Sequence, residues 1–371
     1  MKHLLILLAC FCLLLPGAAK AQSAADAEAA LWETSEEADW DLSHLAAEMT
    51  EEDEAAMNQI AAMLDDQTRS TEQIDPDDPE RNERLPEHVV NILLLGVDNR
   101  SVGLESGRAD ANIICSVDKK TGTLRFVSIS RDTAVSIPGY ESRSRINEAF
   151  RRGSMNRTVE DGAALAVRTV NRNFDLNIQY YVVINIHGLA DIIESLGGLD
   201  MDLTKEEAVQ INYELHEKEP MDNVRRDRLL SADGVQHLDG MECVTYGRIR
   251  NLVGQNDLDR GQRQRKLLTR LFEKVSQDCR LSDLLELIET ALPYARTNIP
   301  LADLLDLGMT VLSGDTVHAL PYGGSIEQLA LPAENLYHYK KFGDNALLYL
   351  SPKSRRQTIS LLQTFLYGQT Y

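Results

Sequence analysis

The stretch from Val89 to Asp132 constrains the fold most. It opens with an apolar run, Val89-Val90-Asn91-Ile92-Leu93-Leu94-Leu95-Gly96-Val97. A polar, glycine-containing segment follows, from Asp98-Asn99-Arg100 to Gly107-Arg108-Ala109-Asp110. Two further runs, Ala111–Val117 and Thr123–Ser130, lead into Arg131-Asp132. Short runs rich in Ile, Leu and Val, bounded by Gly, Asp and Asn, read as buried strands rather than helices. The charged residues then fall at strand ends, where a rigid sheet aims them and the loops leave room for a ligand. Among them, the carboxylates of Asp98, Asp110 and Asp132 suit a hard cation such as Mg2+. The guanidiniums of Arg108 and Arg131 match phosphate oxygens and stay charged. Together they point to a metal–phosphate site; the competing account is a set of solvated surface ion pairs.

Beyond Asp132 the pattern alternates. Helices are expected after Arg145-Ile146-Asn147, over Thr158–Asn173 with Thr158 as cap, and over His187–Leu196, stopped by Gly197-Gly198. Tyr180–Ile186 reads as a strand and Leu199–Leu203 as an edge strand. This is an α/β chain with a central sheet. Asn212–Arg228 is charged and irregular, a loop. A helix from Leu238-Asp239-Gly240 to Tyr246 precedes a second dense motif, Tyr246-Gly247-Arg248-Ile249-Arg250. After a loop to Asp259, a long helix is expected to about Val275. In an extended segment Arg248 and Arg250 would share a face, and on a helix so would Arg260 and Gln264. With a helix N-terminus beside Arg260, these groups suit an anion. Leu281–Ala295, Leu301–Leu312 and Pro352–Tyr367 read as helices and Thr316–Leu320 as a strand, while His318 and His338 are lone histidines expected to be structural.

Charge separates the N-terminal part from the rest. Gln22–Glu87 holds 21 acidic and 3 basic residues, nearly all of the formal net charge of −20. That segment reads as an acidic stalk, disordered or with a helix over Leu42–Leu64. The chain lacks the broad basic face of a nucleic-acid binder. At the very start, Lys2 and His3, the apolar run Leu4–Leu15 and the small-residue site Ala18-Ala19-Lys20-Ala21 form an export signal, cut after Ala21 or kept as an anchor. Cys10 goes with that signal, although Leu7-Leu8-Ala9-Cys10 also resembles a lipidation site. Cys115, Cys243 and Cys279 are too few and too widely spaced for a disulfide framework or a zinc site; free thiols or one disulfide fit.

The ordered series Gly96-Val97-Asp98-Asn99-Arg100, Gly107-Arg108-Ala109-Asp110, Ser128-Ile129-Ser130-Arg131-Asp132, Arg145-Ile146-Asn147, Leu196-Gly197-Gly198-Leu199-Asp200, Leu238-Asp239-Gly240, Tyr246–Arg250 and Asp257–Gln264 resembles the LytR–CpsA–Psr family. The resemblance runs from about Val89 to Val275 and more weakly to Leu320. It implies a central mixed sheet flanked by helices, with an apolar lipid-binding pocket. With residues 1–21 as signal and 22–87 as stalk, it places the catalytic domain at 88–275 and a C-terminal extension on the same domain at 276–371. The implied activity is a phosphotransferase that moves an anionic glycopolymer from a polyprenyl-pyrophosphate carrier to peptidoglycan, outside the plasma membrane. By motif position Asp98 and Asp110 would hold Mg2+, with Mn2+ as a substitute. Arg108, Arg131, Arg248, Arg250, Arg260 and Gln264 would grip the pyrophosphate. The base for the acceptor hydroxyl would be Asp132 or one of the metal-site aspartates, so that Arg108, Arg131 and Asp132 form the expected catalytic group. The chain departs from the family where Ala109 replaces a usual serine, Ser130 a usual proline and Asp259 a usual small residue, and where a signal-like segment stands in place of the usual membrane helix. A hydrolase acting on the same carrier, and a non-enzymatic binder of lipid-linked sugar, are the competing functions.

Overall fold

The structure is a computed structural model that describes residues 80–98, 107–217, 229–231, 233–250, 252, 257–278, 294–300, 303, 306–307, 310–311, 326–343 and 345–371. The three runs that dominate the sequence become β1 (Val89–Asp98), β2 (Arg108–Asp118) and β3 (Thr123–Ile129). The short β4 (Ala134–Val135) and β5 (Ser144–Arg145) pair with each other. Next come α1 (Glu148–Ser154), α2 (Val159–Phe174), β6 (Tyr180–Asn185), α3 (Ile186–Ser195) and β7 (Leu199–Leu203). They are followed by α4 (Lys205–Asn212), β8 (Gly234–Leu238), α5 (Gly240–Arg248) and α6 (Asp257–Asp278). The chain closes with β9 (Ala295–Thr297), β10 (Glu327–Leu331), β11 (His338–Phe342), β12 (Asn345–Tyr349) and α7 (Pro352–Tyr367).

Six strands form a mixed sheet in the order β10-β3-β2-β1-β6-β9. β1 and β6 run parallel, as do β3 and β10, while β2 and β9 oppose their neighbours. Alternation along the strands separates two faces. Leu93, Leu95 and Val97 of β1 and Tyr181 and Val183 of β6 face a core completed by α1, α2 and α7, with Phe150, Val167, Phe174 and Leu362 fully or nearly fully buried. The opposite face meets α3, α5 and α6, whose own cluster gathers around Ile192, Ile193, Cys243, Tyr246 and Leu267.

The caps follow from sequence. Thr158, Thr204 and Asp239 each accept a backbone N–H three residues on, and Asp161, Glu207 and Glu242 return the bond. Reciprocal capping fixes where α2, α4 and α5 begin. Gly240, the first residue of α5, lets that helix close on α3, because a Cβ there would collide with the Ala190 carbonyl. Gly240→Ala is expected to cost about 1–3 kcal/mol through overpacking. Urea denaturation measures it, and an unchanged midpoint would mean that the two helices can separate freely.

Several expectations are corrected. Leu199–Leu203 is the strand expected, but its partner is the unforeseen β8, in a ribbon separate from the main sheet. The stalk boundary at Glu87 lies too late: Leu85 is buried in the core, Asn82 N–H donates to the Leu176 carbonyl and Glu80 pairs with Arg172. Residues beyond 275 do not merely pack on the domain, since β9 and β10 are both edges of its sheet. Ala295, expected to end a helix, opens β9. Cys115 and Cys243 are buried free thiols, and burial pushes the Cys115 thiol up to about 12. The signal, residues 22–79 of the stalk, residues 218–228 of the loop, the helix over 281–293, most of 301–312, the strand over 316–320, His318 and Cys279 lie outside the described residues.

Candidate active site

The site is built at the carboxyl ends of β1, β3 and β6, where the antiparallel β2 begins. The β1–β2 register is the decisive local feature. Gly96 pairs with Ala111 and Val97 with Ala109, so Asp110 is the extra residue of a β-bulge. A bulge re-aims the side chain it carries. Ala109 keeps its place in the core while Asp110 and Ala111 both turn to the opposite face.

Three arginines and one amide converge on Asp110. Arg131 Nη1 donates to both carboxylate oxygens, at 3.3 and 3.2 Å. Asn147 Nδ2 donates at 2.8 Å. Arg250 Nη2 donates to Oδ2. Arg260 donates from Nη2 to the Asp110 backbone carbonyl at 3.1 Å, with Nη1 4.0 Å from Oδ2. Burial alone would raise the Asp110 pKa, but Arg250, Arg260, Arg131 and the Asn147 hydrogen bond outweigh it and hold the carboxyl below its ordinary 3.8. A carboxylate whose pKa is lower folded than unfolded stabilises the fold above the unfolded value and loses that contribution as pH falls through the folded one. The stability gap between the wild type and Asp110→Asn should therefore be wide at pH 7 and narrow progressively below pH 3.8. Urea midpoints at neutral and acid pH read it, and a pH-independent gap would show that Asp110 is not held charged.

Each arginine is positioned by its own element. Arg131 follows β3, and its Nε lies 3.8 Å from Asp132 Oδ2. Asp132 also pairs with Arg145 Nε at 3.0 Å. Arg260 stands in the first turn of α6 and is only 3% exposed. Arg248 ends α5 while Ile249, extended and buried, turns inward, so Arg250 emerges beyond it. The expected extended segment is thus a helix end, and the two arginines part: Arg248 lines a cavity and Arg250 reaches Asp110. Arg263 fixes that corner, donating to the Ile249 carbonyl at 3.0 Å and lying 3.6 Å from Glu207 of α4. Gln264 donates to the Gly247 carbonyl at 3.3 Å, tying α5 to α6. Arg108 stands apart from the cradle, its Nε on Glu148, which also binds Arg151 at 3.0 Å. Asp98 ends β1 opposite Arg108; its side chain lies outside the described residues.

Beside the cradle the sheet face opens into an apolar cavity. Its floor is two cross-strand rows, Ala111-Gly96-Ile184 and Ile113-Leu94-Val182. Gly96 and Ala111 keep the first row low; a Cβ at Gly96 would stand 2.9 Å from that of Ala111. Ile186 and Leu189 of α3, Val244 and Gly247 of α5, and Leu267, Leu268 and Leu271 of α6 form the walls. Asp110, Asn185, Arg248 and Gln264 are its polar members. Leu94, Val182, Ile184 and Leu189 are only half-buried, although they are apolar and central. A concave apolar surface left uncovered marks a ligand groove.

For Mg2+, the donors at this corner are hard oxygens. The Asp110 carboxylate sits beside Asn147, whose buried Oδ1 has no hydrogen-bond partner among the described residues. One or two carboxylates with phosphate and water complete a magnesium shell, so these residues fit the ion. Among the described residues there is no cluster of three or more His, Cys, Asp or Glu that would make an all-protein cage. Sequence reasoning does not single out Asn147 or Glu148. Only the Arg145-Ile146-Asn147 motif hinted at Asn147, and nothing in a helix start announces that its amide reaches a strand 37 residues earlier.

The chain matches known proteins over most of its length. The model of the LytR_cpsA_psr family matches residues 54–350. The polyisoprenyl-teichoic acid–peptidoglycan teichoic acid transferase TagV of Bacillus subtilis (strain 168) is 28% identical over 264 residues, 71% of this chain and 60% of that protein. The TagU transferase of the same description from Bacillus cereus is 29% identical over 218 residues, 59% of this chain and 63% of that protein. The chain thus spans about three-fifths of the length of these relatives. Among solved structures, B. subtilis TagV superposes with a TM-score of 0.55 at 23% identity, covering 77% of this chain and 100% of that one. The LytR-CPS2A-psr family protein YwtF (TagT) with bound octaprenyl pyrophosphate lipid does so with a TM-score of 0.54 at 23% identity, covering 78% and 95%. These structural likenesses establish the fold.

Proposed function

Because this chain belongs to the LytR_cpsA_psr family, we propose that it transfers an anionic glycopolymer from a polyprenyl-pyrophosphate carrier to peptidoglycan. The observation that carries this is the junction of two unlike surfaces: guanidiniums gathered around Asp110 at the rim of an open apolar cavity. A ligand that fills both has a phosphate head and a hydrocarbon tail. Relatives named for polyisoprenyl-linked teichoic acid support the same class.

Phosphoryl transfer needs positioning and charge neutralisation more than covalent help. In the proposed mechanism Arg131, Arg250 and Arg260 exchange the Asp110 carboxylate for phosphate oxygens, and Arg248 and Gln264 hold the phosphate that stays with the lipid. Arg108, freed from Glu148, closes from the other side. Asp98, Asp110 and the Asn147 Oδ1 are the groups that would hold Mg2+ or Mn2+. The ion, when bound, supplies charge neutralisation to the leaving phosphate. Asp132 fixes Arg131 and Arg145 and is assigned the acceptor proton. Asp132→Asn should slow transfer to a sugar hydroxyl while carrier binding holds; unchanged transfer would remove that assignment.

The protein acts, on this proposal, outside the plasma membrane, carried there by the Leu4–Leu15 segment. No helix among the described residues is long and apolar enough to cross a membrane.

The test is release of polyprenyl phosphate from a pyrophosphate-linked glycolipid by the purified chain, with and without Mg2+ and peptidoglycan. Metal-dependent release that joins sugar to peptidoglycan is expected. Release indifferent to peptidoglycan would make the protein a hydrolase, and binding without release would make it a receptor.

A further inference from the structure

We propose that the β11–β12 hairpin, with the β4–β5 turn and α1, forms a docking platform for the anionic polymer chain as it leaves the arginine cradle. This rests on the function proposed above and adds where the polymer lies.

Four consecutive residues of β11, His338, Tyr339, Lys340 and Lys341, are exposed. By strand alternation and the pairing of His338 with Tyr349, the residues His338, Lys340, Phe342 and Tyr349 share one face. They form a stacked cluster. Lys340 Nζ lies 4.6 Å from the Tyr349 ring centre and 5.5 Å from that of Phe342. Arg143 lies over the same Tyr349 ring at 5.6 Å, and His338 meets its edge at 5.3 Å. A second pair stands nearby: Arg152 lies 4.6 Å over the ring of Tyr140, which is 41% exposed.

Two features separate this patch from an ordinary solvated face. First, among the described residues Arg143, Arg152 and Lys340 have no carboxylate partner; Arg143 donates to the Ala134 carbonyl and Arg152 to the Ser144 hydroxyl. Cations held on aromatic rings with no acid partner among the described residues are unusual for a solvated face. Second, the patch is continuous with the site. Leu348 N–H donates to the Asp132 carbonyl at 3.0 Å, Thr133 bridges to Leu348, and Arg145, beside Ser144 in β5, pairs with Asp132. The platform therefore begins at the residue next to Arg131.

Its chemistry is that of an anionic glycan. Aromatic faces take the apolar side of a sugar ring, and the cations over them take phosphate or carboxylate along the chain. Charge complementarity favours the donor polymer, with an anion in each repeat, over the glycan strand of the acceptor.

The experiment measures binding of a poly(glycerol phosphate) oligomer to the full chain, with neutral dextran and polymer-stripped peptidoglycan as comparison probes. The wild type should bind the oligomer with an affinity that falls as salt is raised. Arg143→Ala with Lys340→Ala should weaken it about tenfold or more, each lost contact to an anion being worth a charge-assisted hydrogen bond. Arg143→Lys with Lys340→Arg should retain most of the affinity, which a purely structural role for the stacked pairs does not predict once melting curves show both double variants folded. Release from a carrier bearing one short sugar should not change. Equal oligomer binding by wild type and the alanine pair, no oligomer binding by wild type, equal competition by dextran, or loss confined to stripped peptidoglycan would each overturn the platform. A chain that turns nothing over, yet binds the oligomer through Arg143 and Lys340, keeps the platform and loses the ligase.

Discussion

Arg131→Ala should lower release of polyprenyl phosphate by about 10²–10³-fold, the usual loss when one charge-stabilising donor is removed from a transition state. The fold should survive the change. Asp110 keeps Asn147, Arg250 and Arg260 as partners, and Asp132 keeps Arg145. Arg131 is also a point of convergence, since it touches both Asp110 and Asp132 and stands at the end of the strand that aims it. Arg131→Lys restores a charge but not the planar fork that spans two oxygens, so it should recover only part of the rate. The measurement is turnover at saturating carrier beside a thermal melt. Wild-type turnover in Arg131→Ala, or a rate loss that merely follows unfolding, would remove the cradle from the mechanism.

Ile184→Trp should separate the tail from the head of the ligand. Ile184 lies beside Gly96 across the β1–β6 pair, at the low point of the cavity floor. A bulky ring there occupies space otherwise open to hydrocarbon. Burying a CH2 contributes about 0.8 kcal/mol, so excluding part of one isoprene unit amounts to ~3 kcal/mol, or ~10²-fold in affinity. Binding of a long-chain prenyl pyrophosphate should weaken by that factor, while inorganic pyrophosphate, which needs only the arginines, binds as before. Calorimetric titration with both ligands decides it. Equal weakening of both would mean that the substitution distorts the cradle; no weakening of either would mean that the tail lies elsewhere.

Much of this was legible because it is local. Apolar runs with polar ends defined β1, β2, β3 and β6, the capping residues Thr158 and Asp239 fixed helix starts, and the charged ends of strands nominated Asp110 and Arg131. The ordered motifs identified the family before any coordinate was needed, because a long series of short matches is specific even when each is weak. What misled was also local. Arg248 and Arg250 look extended by spacing, yet α5 runs through Arg248, because its capping box and its packing on α3 outweigh the short alternation. Leu199–Leu203 alternates like an edge strand, but alternation does not name the partner, and β8 took that place.

The sequence by itself determined β1, β2, β3, β6 and β7, most of the helices and the charge partition, and it nominated Asp110 and the arginines around it. Tertiary structure alone decided their geometry. The bulge at Asp110 arises from the β1–β2 register, a relation between strands rather than a property of either one. Asn147 meets Asp110, and Arg263 holds the carbonyl between two arginines, across separations that no local periodicity encodes. The edge strands β9 and β10 come from a region that reads as an appendage, and the cavity exists because small residues on neighbouring strands fall in one row. Propensity and pattern act over a few residues, whereas sites form where distant segments are brought together by packing; residue types can be read from the chain, but their distances cannot.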